Sequence, residues 1–292
     1  MVKARIGWGG SLGAVTLIYV IASLAAYTAA ASIPLDGAQY QALAGHLVAT
    51  LVIYACGTLL SNSSCYDPCW SLAPIAIGLF WAQHPLAAAP LEQKVLVLAV
   101  VTIWGLRLTG NFLRRWPGLS EEDWRYEDLR RKWGRLYPLV DLFGVHLFQT
   151  GMVFLGSLPL WPLLASDVSL WWLLPGAIVA LAAVCLETLA DQQLWRFLSS
   201  SPPPGAILDK GLWAYSRHPN YFGQMMFWWG LAMMGVAADP SWWWSAAGAV
   251  VITLLLVFIS IPLMEDRSTA RRPGYAAHAK RVAALVPRRP RR

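Results

Sequence analysis

From residue 10 to residue 32 the chain runs without a single charged side chain, and seven further apolar stretches follow it. Crossing a bilayer takes about 20 mostly apolar residues wound as a helix, because a helix satisfies its own backbone groups in hydrocarbon. The stretches 10–32, 43–60, 70–86, 94–113, 140–165, 169–192, 221–237 and 241–264 predict an all-α, polytopic transmembrane helical bundle of seven to eight spans. The range reflects 221–237, which is short and is closed by Asp239-Pro240 into a hairpin with the stretch after it. Composition agrees: 57% of residues are hydrophobic and 13% charged, against about 25% charged in a soluble domain. Soluble, disordered and disulfide-rich secreted chains are excluded, and one membrane-embedded domain over 1–292 is expected. Lys3 and Arg5 ahead of the first stretch suggest a signal peptide, but its length and the weak cleavage site in SIPLDGAQY favour a span.

The few charges are unevenly placed. With both termini cytoplasmic, 21 of the 23 basic residues fall on the cytoplasmic side, leaving Lys94 outside and Arg107 within a span. The inner segments are 114–139, 193–220 and 265–292. Trp171, Trp172 and Trp242–Trp244 then mark the outer interface, and Trp116 and Trp124 the inner one. The tail RRPRR points to anionic lipid headgroups before nucleic acid. Cys56, Cys65, Cys69 and Cys185 have no Cys/His neighbours at metal-ligand spacing, so no metal site is expected.

Polarity collects in the inner segments. The loop RRWPGLSEEDWRYEDLRRKWGRLYP mixes five acids with seven bases around a short predicted helix, which by composition reads as a salt-bridged interfacial helix. In CLETLADQQLWRF, Glu187 and Asp191 are i, i+4 on one helix face. They face either a ligand's donors or Arg196 and the tail arginines. KGLWAYSRHPNYFGQ is the densest cluster. Pro219 holds His218 extended, so a helix starts at Asn220 or just before. Tyr215, Arg217, His218, Asn220 and Tyr221 crowd its free N–H groups, where an anion such as phosphate is favoured. Glu265, Asp266 and Arg267 follow the last stretch, and Tyr66 and Asp67 sit in the turn NSSCYDPCWS. Both also read as interfacial charge and turn chemistry.

These residues resemble the steroid 5α-reductase-like membrane enzymes. The blocks are DPCWS (67–71), WGLRLTGNFLRR with EDWRYEDLR (104–130), LADQQLWRF (189–197) and GLWAYSRHPNYFGQ (211–224). The R-H-P-N-Y core is the most specific, and is shared with sterol C14-reductases and, more loosely, isoprenylcysteine carboxyl methyltransferases. The resemblance implies an NADPH pocket in the cytoplasmic half of the bundle and a hydrophobic substrate entering from the lipid. Tyr215, Arg217, His218, Asn220 and Tyr221 are implied to hold the nicotinamide and phosphate region, and Asp191 the adenosine half. Arg107 and Asn111 on the fourth span, Arg125, Tyr126 and Arg130 in the loop, and Glu265 and Arg267 complete the cofactor set.

The implied reaction is NADPH-dependent reduction of the C4=C5 double bond of a 3-oxo-steroid or a similar lipid enone. Hydride reaches the β-carbon, charge develops on the ketone oxygen, and a proton reaches the α-carbon. Tyr66 and Asp67 are the candidates for the ketone, with Glu187 as a substitute acid. Gln224 stands where steroid reductases carry Glu; it can hydrogen-bond but not shuttle a proton. A second reading is a carboxyl methyltransferase using S-adenosylmethionine. A third is a non-enzymatic lipid-binding membrane protein, which has no need of the R-H-P-N-Y cluster. The expected partners are the steroid or lipid enone and membrane lipids. A monomer in the bacterial inner (cytoplasmic) membrane is expected.

Overall fold

The computed structural model describes residues 7–32 and 37–290. Lys3 and Arg5, residues 33–36 of the weak cleavage site, and Arg291 and Arg292 of the tail lie outside the described residues. The expected all-α fold is what forms: among the described residues there is no strand, only a single bridge between Ser216 and Ala283. Two compact units are present, Met1–Ala165 and Ser166–Arg292.

The first unit holds α1 (Trp8–Ser32), α2 (Ala38–Leu60), a 3-10 turn at Ser63–Tyr66, α3 (Cys69–Ala82) and α4 (Leu91–Arg115). It continues with α5 (Trp124–Trp133), α6 (Tyr137–Val140), a π-helical stretch at Asp141–Leu147, α7 (Phe148–Ser157) and α8 (Leu160–Ala165). α1 packs on α2 and α3 on α4. Ile18, Ile53, Tyr66 and Val153 meet in the core. Trp116, expected at the membrane interface, is buried there too, stacked on Phe112 with ring centroids 5.9 Å apart.

The second unit is built on α9 (Leu170–Ser199) and α10 (Pro219–Ala238). A 3-10 segment at Pro240–Ala246 leads into α11 (Ala247–Leu255), a π-helical stretch at Leu256–Ser260, α12 (Ile261–Arg271) and α13 (Tyr275–Arg281). Asp239 makes the expected hairpin corner, its Oδ1 accepting from the Ser241 amide at 2.9 Å.

Among the described residues, six helical runs are long and apolar enough to cross a membrane, as in a multi-pass membrane protein: Trp8–Ser32, Ala38–Leu60, Leu91–Arg115, Trp124–Ser157, Leu170–Ser199 and Pro240–Arg271. Two of the eight expected stretches are not among them. α3 has 14 residues, about 21 Å at 1.5 Å per residue, too short for a hydrocarbon core of about 30 Å. α10 is long enough, but Asn220, Gln224 and its glycines make it less apolar. It packs closely on α9, burying Gly223, Phe227, Gly230 and Met234. A helix covered by protein has less need of an apolar exterior.

That packing depends on glycine. A Cβ at Gly230 would lie 2.6 Å from the Ala180 amide nitrogen and 2.8 Å from the Gly176 carbonyl oxygen. Small residues at such crossings let helix backbones approach, and backbone atoms cannot swing aside as a flexible side chain can. Gly230→Ala is expected to force α9 and α10 apart and destabilise the protein by about 1–3 kcal/mol. Thermal unfolding in detergent checks it, and an unchanged midpoint would show that the close crossing is dispensable.

Candidate functional site

In the second unit the polar residues gather where α10 begins, as the sequence predicts. Pro219 occupies the first turn, and His218 before it is non-helical but not the extended residue that the sequence predicts, with φ −138° and ψ 58°. The His218 amide donates to Ser216 Oγ at 3.1 Å. Asn220 Nδ2 donates to Asp191 Oδ1 at 3.2 Å, tying the α10 start to α9. Glu187, one turn back from Asp191, is buried on the same face, and its Cβ lies 2.8 Å from where a Cβ on Gly223 would sit. Gln224 is buried on α10. The rings of His218 and Tyr221 stack at 14° with centroids 5.4 Å apart.

Arg217 is committed to the protein itself. Its Nε donates to Glu265 Oε1 at 2.7 Å, with Nη2 2.6 Å from the same oxygen. Its Nη1 donates to the carbonyls of Ala279 at 2.5 Å and Val282 at 2.8 Å. His218 Nε2 lies 3.3 Å from the same Glu265 oxygen. The Arg217 amide donates to Ala283 O at 2.8 Å, and the Arg288 amide to Tyr215 O at 3.0 Å, so the C-terminal segment is strapped across this corner. The Tyr215 side chain is exposed.

The strap forms one wall of a cleft of about 430 Å³ whose lining includes Arg217, Lys280, Arg281 and Arg288. The side chains of Lys280, Arg281 and Arg288 are exposed and make no ion pair among the described residues. Burial, and after it the Arg217 charge, hold the nearby His278 imidazole below its usual range. The sequence places Lys280 and Arg281 only within the inner segment 265–292 and Arg288 in the basic tail; pairing of 283 with 216 brings them to one cleft.

In the first unit Tyr66 and Asp67 diverge. The Tyr126 hydroxyl donates to Asp67 Oδ1 at 2.5 Å. Tyr66 instead meets Thr150, with its hydroxyl 2.6 Å from Thr150 Oγ1. Arg125, which lies over the Tyr126 ring, donates from Nε to Asp123 Oδ1 at 2.8 Å. Arg130 donates from Nη2 to both Glu122 oxygens, at 3.0 and 3.1 Å, and lies over the Tyr137 ring. Arg107 and Asn111 are half-buried one turn apart on α4, and Arg267 is on α12.

Several buried polar residues were missed from sequence. Ser63 Oγ donates to Asp141 Oδ2 at 2.8 Å, and its amide donates to Glu122 Oε1 at 2.7 Å. Asp141 O lies 3.0 Å and Oδ1 3.3 Å from His146 Nδ1. The π-helical winding brings these residues, five apart, into register. Thr150 Oγ1 lies 2.7 Å from Thr50 Oγ1. Polar groups within spans are functional by default, so His46 with Thr50 and His146 with Thr150, each i, i+4, were the available signal.

The family described as "Protein of unknown function (DUF1295)" matches residues 53–282, most of the chain. The chain belongs to this family. DUF1295 lies within the steroid 5-alpha-reductase-like superfamily. The matched segment contains every candidate catalytic and cofactor-binding residue, from Tyr66 to Arg267. Over 263 residues the chain is 27% identical to "Uncharacterized protein C594.04c" of Schizosaccharomyces pombe, covering 81% of this chain and 76% of that one. No solved structure matches.

Burial pushes the Asp67 carboxyl up to about 6, against the opposing pull of the Arg125 charge and the Tyr126 hydroxyl. A folded value above the ordinary 3.8 means that the fold favours the protonated acid. Its stabilising contribution is full below about pH 4 and is lost as pH rises through about 6. Asp67→Asn, which stays neutral, should therefore gain thermal stability relative to the wild type between about pH 4 and pH 7. A midpoint difference that does not change with pH would contradict this assignment.

Proposed function

We propose that this protein is a membrane reductase that uses NADPH to saturate the double bond of a lipid enone, such as the C4=C5 bond of a 3-oxo-steroid. The observation that carries the reading is the α10 start, where an ordered amide, a stacked ring pair and a basic cleft lie within one unit. Asn220 uses one N–H on Asp191, leaving its carbonyl oxygen and second N–H to meet a carboxamide such as that of nicotinamide. The His218–Tyr221 stack offers a flat face to a ring. Lys280, Arg281 and Arg288 offer unpaired charge to phosphates, a task for which Arg217, Arg125 and Arg130 are already engaged. The donor set thus fits a phosphate-bearing dinucleotide, which when bound supplies the hydride.

The chain's own residues bind and orient. Asp191 fixes Asn220, and Glu265 with Arg217 holds the C-terminal strap that shapes the cleft. The buried Gln224 and Glu187 line the α9–α10 crossing beneath the Asn220–Asp191 link. Both termini on the cytoplasmic side, as the basic residues favour, would open this corner to cytoplasmic NADPH, and in a bacterium the membrane would be the inner one. The methyltransferase reading is weaker on charge. S-adenosylmethionine carries a sulfonium, an ammonium and a single carboxylate, and no phosphate, so three basic side chains suit it less well than a dinucleotide with three phosphates.

Purified protein in detergent should consume NADPH when a 3-oxo-4-ene steroid is added. Asn220→Ala should lower kcat/KM by about 10–100-fold, the loss of one or two ligand hydrogen bonds, while the thermal midpoint stays near that of the wild type. Failure of the wild type to bind NADPH or to use it with any enone would overturn the reading.

A further inference from the structure

The end of α5 carries charge that neither the fold nor the dinucleotide site uses. From Glu121 to Arg135 there are five bases: Arg125, Arg130, Arg131, Lys132 and Arg135. Asp123 holds Arg125, Glu122 holds Arg130 and Asp128 holds Arg131. Lys132 and Arg135 are exposed and make no ion pair or hydrogen bond among the described residues. The dipole of α5 favours bases in its last turn, but Arg135 lies beyond that turn, past the break at Gly134 with its φ of +48°. The nearest unpaired acid on α5, Glu127, is in the first turn, about 7.5 Å along the axis from Lys132 and on another face. From Arg130 to Val140 the chain has four bases and no acid.

Beside and beyond these charges the surface turns apolar. Trp133 is exposed, with Lys132 Nζ 5.8 Å from the centroid of its ring. Leu136, Leu139 and Phe143 are each more than half exposed. They are spaced three and four apart, as one face of a helix requires. The strip they form runs about 10 Å along the axis, roughly two-thirds of the hydrocarbon depth of one leaflet. It belongs to the run Trp124–Ser157, which is long and apolar enough to cross a membrane. Lipid chains are therefore the natural cover for the strip, and the two cations at its head select among lipids.

The cations also stand on a backbone that is already fixed. On one side Arg130, held by Glu122, lies over the Tyr137 ring, 4.2 Å from its centroid. On the other the Tyr137 hydroxyl is 2.8 Å from Ser63 Oγ, and the Tyr54 hydroxyl donates to the Pro138 carbonyl at 3.0 Å. The elbow from Arg131 to Leu136 is thus pinned at both ends. Less ordering entropy is lost when a ligand meets such a site.

We propose that the elbow between α5 and α6 binds one anionic phospholipid, with its phosphate on Lys132 and Arg135 and an acyl chain along Leu136, Leu139 and Phe143. A zwitterionic lipid also offers a phosphate, but its ammonium group offsets the charge that the two bases attract. An acidic protein segment would meet the bases and make no use of a strip that faces hydrocarbon. Trp133 fits the headgroup level, where amphipathic rings are favoured, and its face steadies Lys132. Lys132 and Arg135 lie outside the residues assigned to the dinucleotide, and occupancy by lipid is read without turnover.

The experiment uses the full-length protein in neutral detergent, titrated with phosphatidylglycerol or phosphatidylcholine. Thermal unfolding and the lipid retained in native mass spectrometry are the two readouts. Phosphatidylglycerol should raise the midpoint and leave one retained lipid, and phosphatidylcholine at the same mole fraction should do neither. Lys132→Gln combined with Arg135→Gln should raise the half-saturating phosphatidylglycerol fraction about thirtyfold at low salt, the scale of two bases at an anionic surface. The lipid-free midpoint should stay near that of the wild type, because both side chains are exposed. Lys132→Arg combined with Arg135→Lys, which keeps both charges, should restore the response. Arg288→Gln combined with Arg289→Gln, in the other basic segment, should leave it unchanged. Equal responses to the two lipids, or an unchanged response in the Lys132 and Arg135 glutamine variant, would overturn the proposal. So would loss of the response in the Arg288 and Arg289 variant alone. Glycerol phosphate, which has the headgroup chemistry without the chains, should leave the midpoint where it is; a rise matching that of the lipid would make this a site for free phosphate and overturn the lipid assignment.

Discussion

Among apolar helices a polar side chain has no water to turn to, so each one must find its partner within the protein. The structure is organised around that requirement. Gln93, fully buried, donates to the Leu163 carbonyl at 2.8 Å, and Trp81 donates to the Ala38 carbonyl at 2.9 Å, joining helices far apart in sequence. The same rule gathers other polar groups into two clusters, one in the core of the first unit and one at the α10 start. Within each cluster a polar group is held by another polar group, and chemistry can be read from which atoms are left over.

The arginines show the consequence for function. Arg125, Arg130 and Arg217 are the residues that family resemblance offers to phosphates, yet each is held by a carboxylate: Asp123, Glu122 and Glu265. Such an arginine builds the site rather than binding the ligand. Arg217 does so by fastening residues 279–283 to the residue just before the helix start. Among the described residues lining the cleft, Lys280, Arg281 and Arg288 make no ion pair, and they sit on a strap held by Arg217 together with the Ser216 and Tyr215 contacts.

Much of this was legible in the sequence where the physics is local. Apolar run length gave the membrane fold, Pro219 gave the α10 start, and the i, i+4 spacing of Glu187 and Asp191 gave their shared face. Apolar run length did not foretell that α3 stops at 14 residues or that α10 is covered by α9, because those depend on where the helix ends and what packs on it. The pairing of Tyr66 with Asp67 was a sequence-neighbour argument, and neighbours around a 3-10 turn point to different partners. Asp141 and His146 were hidden for another reason: a π-helical stretch aligns residues five apart, a spacing that α-helical periodicity does not search. The partners of Arg217 lie 48 to 66 residues away, beyond any local rule.

The central claim is that the α10 corner is built for a phosphate-bearing dinucleotide. A ligand stabilises a folded protein by mass action only if it binds the folded state, so thermal unfolding of the purified protein tests the claim without a known substrate. The account predicts a midpoint that climbs with NADPH concentration, does not respond to S-adenosylmethionine, and loses the NADPH response when Lys280, Arg281 and Arg288 are replaced by Gln. Stabilisation by S-adenosylmethionine with none by NADPH would contradict it.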